Sequence, residues 1–256
     1  MIGHVGGRER STHRRGSVRL RDYFATDAIL GGPPMARHWG QGVMVNMWGN
    51  DKAGDCTVAS LYDRRQIISC NTGETFTASD PAAPYADYQK VTGWDGTPGS
   101  ASDRGAQMID VLNAAKTTPI AGELIVAHAY IDPQDERMME IGVNEFMVLY
   151  VGADLPRALD GDPTVWDIPE GTTDPYWLPD ITRGHAFVIH GYDRDQWDIA
   201  TWSRTNYYAT RRWASKCIDE AYVILDDALV RGDRPAPNGF DIDRLRADLS
   251  AMGAAA

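Results

Sequence analysis

The sequence predicts an α+β chain, with helices gathered early and strands late. Three observations predict it. Apolar residues recur at helical spacing between Asp55 and Ser69 and in later segments up to Phe146. Two strand-like runs, Ala186–Tyr192 and Trp197–Trp202, are joined only by the polar stretch Asp193–Gln196, a hairpin pattern. Strands and helices do not alternate regularly, which argues against βαβ units and for segregated layers. The 256 residues fit one large domain or two small ones, and a hydrophobic content of 43% excludes a wholly disordered chain.

In chain order, residues 1–45 read as a basic arm and an extended lead-in. The first 22 residues hold six arginines against Glu9 and Asp22, a net +4, which leaves −15 on the rest of the chain. The arm has no pattern able to bury itself, so contact with another chain is expected to order it. Residues 46–235 form the main domain. A helix is predicted over 55–69 with Asp55 as its N-cap and Asn71–Gly73 as its stop. A short helix near 84–91 follows, then one capped by Ser102 or Asp103 that runs to Ala115. Leu124–Ile131 reads as a strand, Gln134–Phe146 as a helix and Met147–Gly152 as a buried strand. A long loop rich in Pro, Gly, Asp and Trp spans 153–182. After the hairpin, Ala221–Leu225 is a further strand. Residues 236–256 are a C-terminal amphipathic helix and tail, with Ile242, Leu245 and Leu249 on one face.

Composition limits the function. No apolar run reaches the roughly 18 residues of a membrane span, so no membrane association is expected. No signal peptide is evident, since further arginines follow the first charges where an apolar stretch belongs. The acidic body argues against nucleic-acid binding through the main domain. Cys56, Cys70 and Cys217 show no metal spacing. Fourteen residues of one helix hold Cys56 and Cys70 about 21 Å apart, beyond disulfide reach. Neither a cofactor nor a metal is expected, and the acidic loop (Asp160, Asp162, Asp167, Glu170, Asp174) reads as solvated.

The chemistry concentrates in two segments. Gly49-Asn50-Asp51-Lys52-Ala53-Gly54-Asp55-Cys56-Thr57 delivers a cysteine to the first turn of a helix, where the helix dipole favours a thiolate and unpaired N–H groups face an oxyanion. Asn50 is a candidate second donor. Gly184-His185-Ala186-Phe187-Val188-Ile189-His190-Gly191-Tyr192 opens a strand with His185, a candidate general acid and base. His190, five residues on, reads as structural.

Together these segments resemble the papain-like cysteine peptidase superfamily, with further likeness to uncharacterised bacterial and phage members. The shared elements are Gly49-Asn50-Asp51, Gly54-Asp55-Cys56-Thr57, Gly184-His185-Ala186, Gly191-Tyr192-Asp193, Thr201-Trp202-Ser203 and Cys217-Ile218-Asp219-Glu220-Ala221-Tyr222. The likeness spans about residues 40–250. It implies a two-lobed fold, a helical lobe carrying Cys56 and an antiparallel sheet lobe carrying His185. It also implies a peptidase or amidase with a Cys56–His185 dyad and Asn50 as oxyanion donor.

One departure concerns the residue that orients the histidine. Aligning the family's Asn-Ser-Trp-Gly motif on Trp202 puts Ala200 at the asparagine. Asp198, two residues earlier on the same strand face, is the expected substitute; Thr201 takes the place if the register slips by one. The resemblance further implies a peptide or protein substrate and a location in a phage virion or the host cytoplasm. The alternative function is a catalytically weak or inactive papain-fold protein. That alternative would be a capsid-surface or head–tail component, with residues 1–22 contacting other virion subunits.

Overall fold

The structure, a computed structural model, describes residues 7–14, 16–76, 80, 82–231 and 236–254. Residues 1–6 and 15 of the arm, and the 235/236 boundary, lie outside the described residues. The chain opens with β1 (Arg8–Glu9), β2 (Val18–Arg19), a 3-10 turn at Leu20–Tyr23, α1 (Thr26–Gly31) and β3 (Arg37–His38). A mainly helical section follows: α2 (Cys56–Thr72), α3 (Ala83–Thr92), β4 (Ala106–Gln107) and α4 (Met108–Ala114). Next come β5 (Ala127–Ile131), α5 (Glu136–Phe146), β6 (Leu149–Asp154), β7 (Val165–Trp166), β8 (Gly184–Tyr192), β9 (Gln196–Thr201) and β10 (Arg204–Thr210). The chain closes with α6 (Arg211–Cys217), β11 (Ile218–Leu225), α7 (Asp227–Arg231) and α8 (Ile242–Ala254).

The main sheet runs β2-β5-β11-β6-β8-β9-β10-β7, with β3 added against β8. Its pairings are antiparallel except β2 with β5 and β7 with β10. All nine residues of β8 are buried, which explains its nearly unbroken apolar run. Alternation along the strand assigns its side chains to two cores. Phe187 and Ile189 join the larger core with Met138, Ile141 and Val143 of α5 and Trp213 of α6. Ala186 shares the second core with Cys56, Val58 and Leu61 of α2, while Val188 meets Val45 and Ile67. The helical lobe therefore packs on the Ala186–Val188 face of β8. Burying side chains such as Val58, Leu61 and Ile67 contributes about 1.5–3 kcal/mol each, which holds α2 against the sheet.

The late strands frame an aromatic cluster. Trp166 on β7 packs edge-on to Phe187, with ring centroids 5.5 Å apart, and touches Trp202, Tyr207 and Trp213. Trp166 thus pins the long 153–182 loop to the body. Two elements here are absent from the sequence reading, β10 and α6, because Arg204–Thr210 carries few apolar residues and Arg211–Cys217 is short. The helix expected from Ser102 or Asp103 begins only at Met108. Asp103 instead accepts from Gly54 N (3.0 Å) and the Tyr88 hydroxyl (3.0 Å).

The arm expectation is corrected for the described residues: they pack on their own body. The Arg8 side chain is fully buried. β1 pairs in parallel with β4, and β2 extends the main sheet. Ser17 Oγ lies 2.7 Å from Nδ1 of the buried His128. Opposite charge explains the docking, because Arg8 and Arg10 meet Asp154, Asp219 and Glu220 of the acidic body. At the other end, Phe240 and the buried Leu245 of α8 join the same core as Tyr23 and Phe24.

Candidate active site

Cys56 opens α2 and faces β8. Its Sγ accepts a hydrogen bond from the N–H of Ala186 at 3.4 Å. The thiol is therefore seated beside the residue that follows His185. Burial pushes the Cys56 thiol up to about 11, and the N–H groups of Ala186 and Gly7 pull the other way without overcoming it. The helix dipole alone favoured a reactive thiolate; desolvation wins because only 1% of the residue is exposed. Cys70 is exposed, whereas Cys217 is buried and burial raises its thiol pKa.

Asp55 occupies the N-cap position, yet its side chain does not cap the helix. It turns to Asn50 instead, whose Nδ2 donates to Asp55 Oδ1 at 3.2 Å. Burial pushes the Asp55 carboxyl up to about 8, with the Asn50 hydrogen bond opposing it. The other end of the Asn50 amide is fixed as well, since Trp202 Nε1 donates to Asn50 Oδ1 at 2.9 Å. With the carbonyl oxygen anchored by Trp202, the amide N–H₂ of Asn50 is turned to the α2 N-terminus.

His185 is fully buried at the head of β8. Its ring stacks on Trp202 with centroids 4.4 Å apart, and its Nε2 lies 2.9 Å from Thr201 Oγ1. Thr201 is thus the side chain brought to the imidazole. Asp198 is not brought there. It pairs with Gly191, six residues along β8 from His185, a distance of about 20 Å at strand rise. Its carboxylate instead engages His38 Nδ1 at 2.5 Å. Ala200 already pairs with Val188, three residues beyond His185, and Asp198 lies further along the strand, so counting back from Trp202 misplaces the partner. Ala200 packs among Val45, Ile67, Val148 and Val188 and has no polar role. His190 is buried and structural: its Nδ1 accepts from Gly40 N at 3.1 Å, and its Nε2 lies 3.1 Å from the Thr205 carbonyl.

The sequence reading did not foresee that the chain's own N-terminal segment packs over the start of α2, beside Cys56. Ala106 N donates to the Gly7 carbonyl at 2.8 Å. Gly7 sits so close to the loop before α2 that a methyl group there would collide with the Gly54 carbonyl. Only glycine permits this approach of one backbone to another. A glycine followed by arginine was visible in the arm, but no local pattern tells where such a segment docks.

The fold is that of papain-like cysteine proteases. Among solved structures, the chain is similar to xylellain, a cysteine protease from Xylella fastidiosa, with a TM-score of 0.64 and 14% identity over 88% of this chain and 97% of that one. It is also similar to digestive procathepsin L2 proteinase from the Tenebrio molitor larval midgut, with a TM-score of 0.57 and 16% identity over 88% of this chain and 79% of that one. No family profile matches the sequence, and no curated protein matches it.

Proposed function

We propose that this protein is a cysteine peptidase or amidase with Cys56 as nucleophile, His185 as general acid and base, and Asn50 as oxyanion donor. The observation that carries the reading is the convergence of α2 and β8. Cys56 touches the backbone of Ala186, His185 is clamped between Trp202 and Thr201, and the same Trp202 anchors Asn50. In the reaction, the Cys56 proton passes to His185 as sulfur adds to the substrate carbonyl carbon. The oxyanion is held by the Asn50 amide and the Cys56 N–H. Collapse expels the amine, which takes the proton from the imidazolium, and leaves a thioester. Water, deprotonated by His185, then hydrolyses that thioester. Thr201 positions the imidazole. Gly7 must leave the thiol before a substrate enters.

The test is hydrolysis of labelled casein by the full chain, by Cys56→Ala and by His185→Ala. The expected result is activity in the wild type that falls at least 10³-fold in each variant. Wild-type hydrolysis unaffected by either substitution overturns the reading. A second reading, a catalytically inactive papain-fold protein, is favoured by the covered thiol; a place in a phage virion is one role such a protein would have. The inactive reading stands if casein is untouched and a peptidyl epoxide never modifies Cys56.

A further inference from the structure

We propose that Asp154, Asp219 and Glu220 form a pocket for the side chain of an arginine in an extended polypeptide lying along the cleft, occupied in the resting protein by the chain's own Arg8. This deepens the peptidase reading by naming a substrate feature, and it rests on that reading for the chemistry after binding.

The pocket is built for a guanidinium. Arg8 Nε donates to Glu220 Oε1 at 3.0 Å, Nη1 to Asp154 Oδ1 at 3.4 Å and Nη2 to Asp219 Oδ1. Three different carboxylates thus meet three separate nitrogens of one planar fork, a wider spread of donors than the single nitrogen of an ammonium offers. Glu220 is positioned in turn by the Tyr222 hydroxyl, 3.1 Å from its other oxygen. The slot is flat. Its floor is Gly152, where a methyl group would run into Arg8 Nε and the Met108 sulfur. The half-exposed Arg10 reaches Asp154 and Asp219 from outside, 2.8 and 3.0 Å from Nε, so the pocket carries more acid than the buried Arg8 neutralises.

The seat around the pocket recognises backbone. The Gly7 carbonyl accepts from Ala106 N, and Arg8 and Glu9 pair with Ala106 and Gln107. On the opposite wall, a methyl at Gly184 would strike the Arg8 carbonyl. These contacts use main-chain atoms, which any extended polypeptide offers. The pocket also lies one residue from the thiol, because Gly7 N–H points to Cys56. An arginine bound there in trans puts its neighbouring residue on the nucleophile. Buried carboxylates without a counter-charge are costly, so the exchange is Arg8 leaving as another guanidinium enters.

The experiment follows Cys56 alkylation by iodoacetamide in the wild-type full chain, located by peptide mapping, with argininamide or its neutral isostere citrullinamide added. Argininamide fills the pocket without supplying an equivalent of Gly7, so it is expected to speed Cys56 labelling at least ten-fold while citrullinamide does not. In full-length Arg8→Met, argininamide is expected to raise Tm by several degrees, and an added Glu220→Gln is expected to abolish the rise. Equal responses to the two amides, or none to either, show a purely structural ion-pair cluster and overturn the proposal. If Arg8→Met does not fold, the wild-type labelling decides. These are binding readouts, so a failure of casein hydrolysis alone strikes the peptidase reading and leaves the pocket standing.

Discussion

Trp202 lies nearly flat on His185, with 27° between the ring planes, and its indole N–H holds Asn50. One side chain therefore sets the position of both the proposed base and the proposed oxyanion donor, which come from chain segments more than a hundred residues apart. The aromatic cluster of Trp166, Tyr207 and Trp213 supports it from below.

Thr201→Val is expected to lower casein hydrolysis by about 10- to 1,000-fold, because the imidazole loses the hydroxyl that meets its Nε2 while the shape of the site is kept. Thr201→Ser, which retains the hydroxyl, is expected to recover most of the rate. With a peptide substrate, kcat is expected to fall and KM to stay within a few-fold. An equal loss in both variants would assign Thr201 to packing instead.

Phe187 is fully buried between Trp166 and Trp213. Phe187→Ala is expected to cost about 3–5 kcal/mol in urea unfolding. A cost below about 1 kcal/mol would contradict the central place of β8.

Stability is expected to depend on pH through Asp63. Burial pushes its carboxyl up to about 8, and the hydrogen bond from Trp48 Nε1, at 2.7 Å, opposes the shift. The unfolded chain releases that proton near pH 3.9. Between these values the folded state holds more protons, so the contribution is complete below about pH 4 and is lost as pH rises toward 8. The measurement is the difference in unfolding free energy between wild type and Asp63→Asn from pH 4 to 8, in which other groups cancel. It is expected to shift steadily in favour of the variant as pH rises.

The β9–β10 turn places Trp202 at φ 47° and Ser203 at φ 62°. Left-handed backbone costs a residue with a Cβ about 1 kcal/mol or more. Ser203 is exposed, so Ser203→Gly removes that cost without disturbing the core. A gain of about 0.5–1 kcal/mol is expected, read as a Tm rise of a few degrees. A fall in Tm would mean that the Ser203 hydroxyl bond to the Trp202 carbonyl outweighs the strain.

Local patterns carried most of the fold. The helical spacing after Asp55 became α2, the Asp193–Gln196 turn became the β8–β9 hairpin, and the tail became α8. The thiol, the imidazole and the Asn50 amide were legible because each belongs to a short motif with its own local geometry. The partner of His185 was less so: one step along β9, from Ala200 to Thr201, changes the sheet face, and the alignment on Trp202 does not tell which face meets the ring. The seat of the arm was illegible for a different reason. Arg8 docks through charge on residues 146 to 212 positions away, and charge has no periodicity to read.

The separation between Arg8 and Glu220 also orders events during synthesis. Arg8 leaves the ribosome 212 residues before its partner. The carboxylates that receive it come together only when β11, ending at Leu225, pairs with β6. The nascent chain therefore carries Arg8 undocked until β11 has been made. Docking of Arg8 waits on that pairing, and a chain stalled before β11 lacks two of the three carboxylates that seat it.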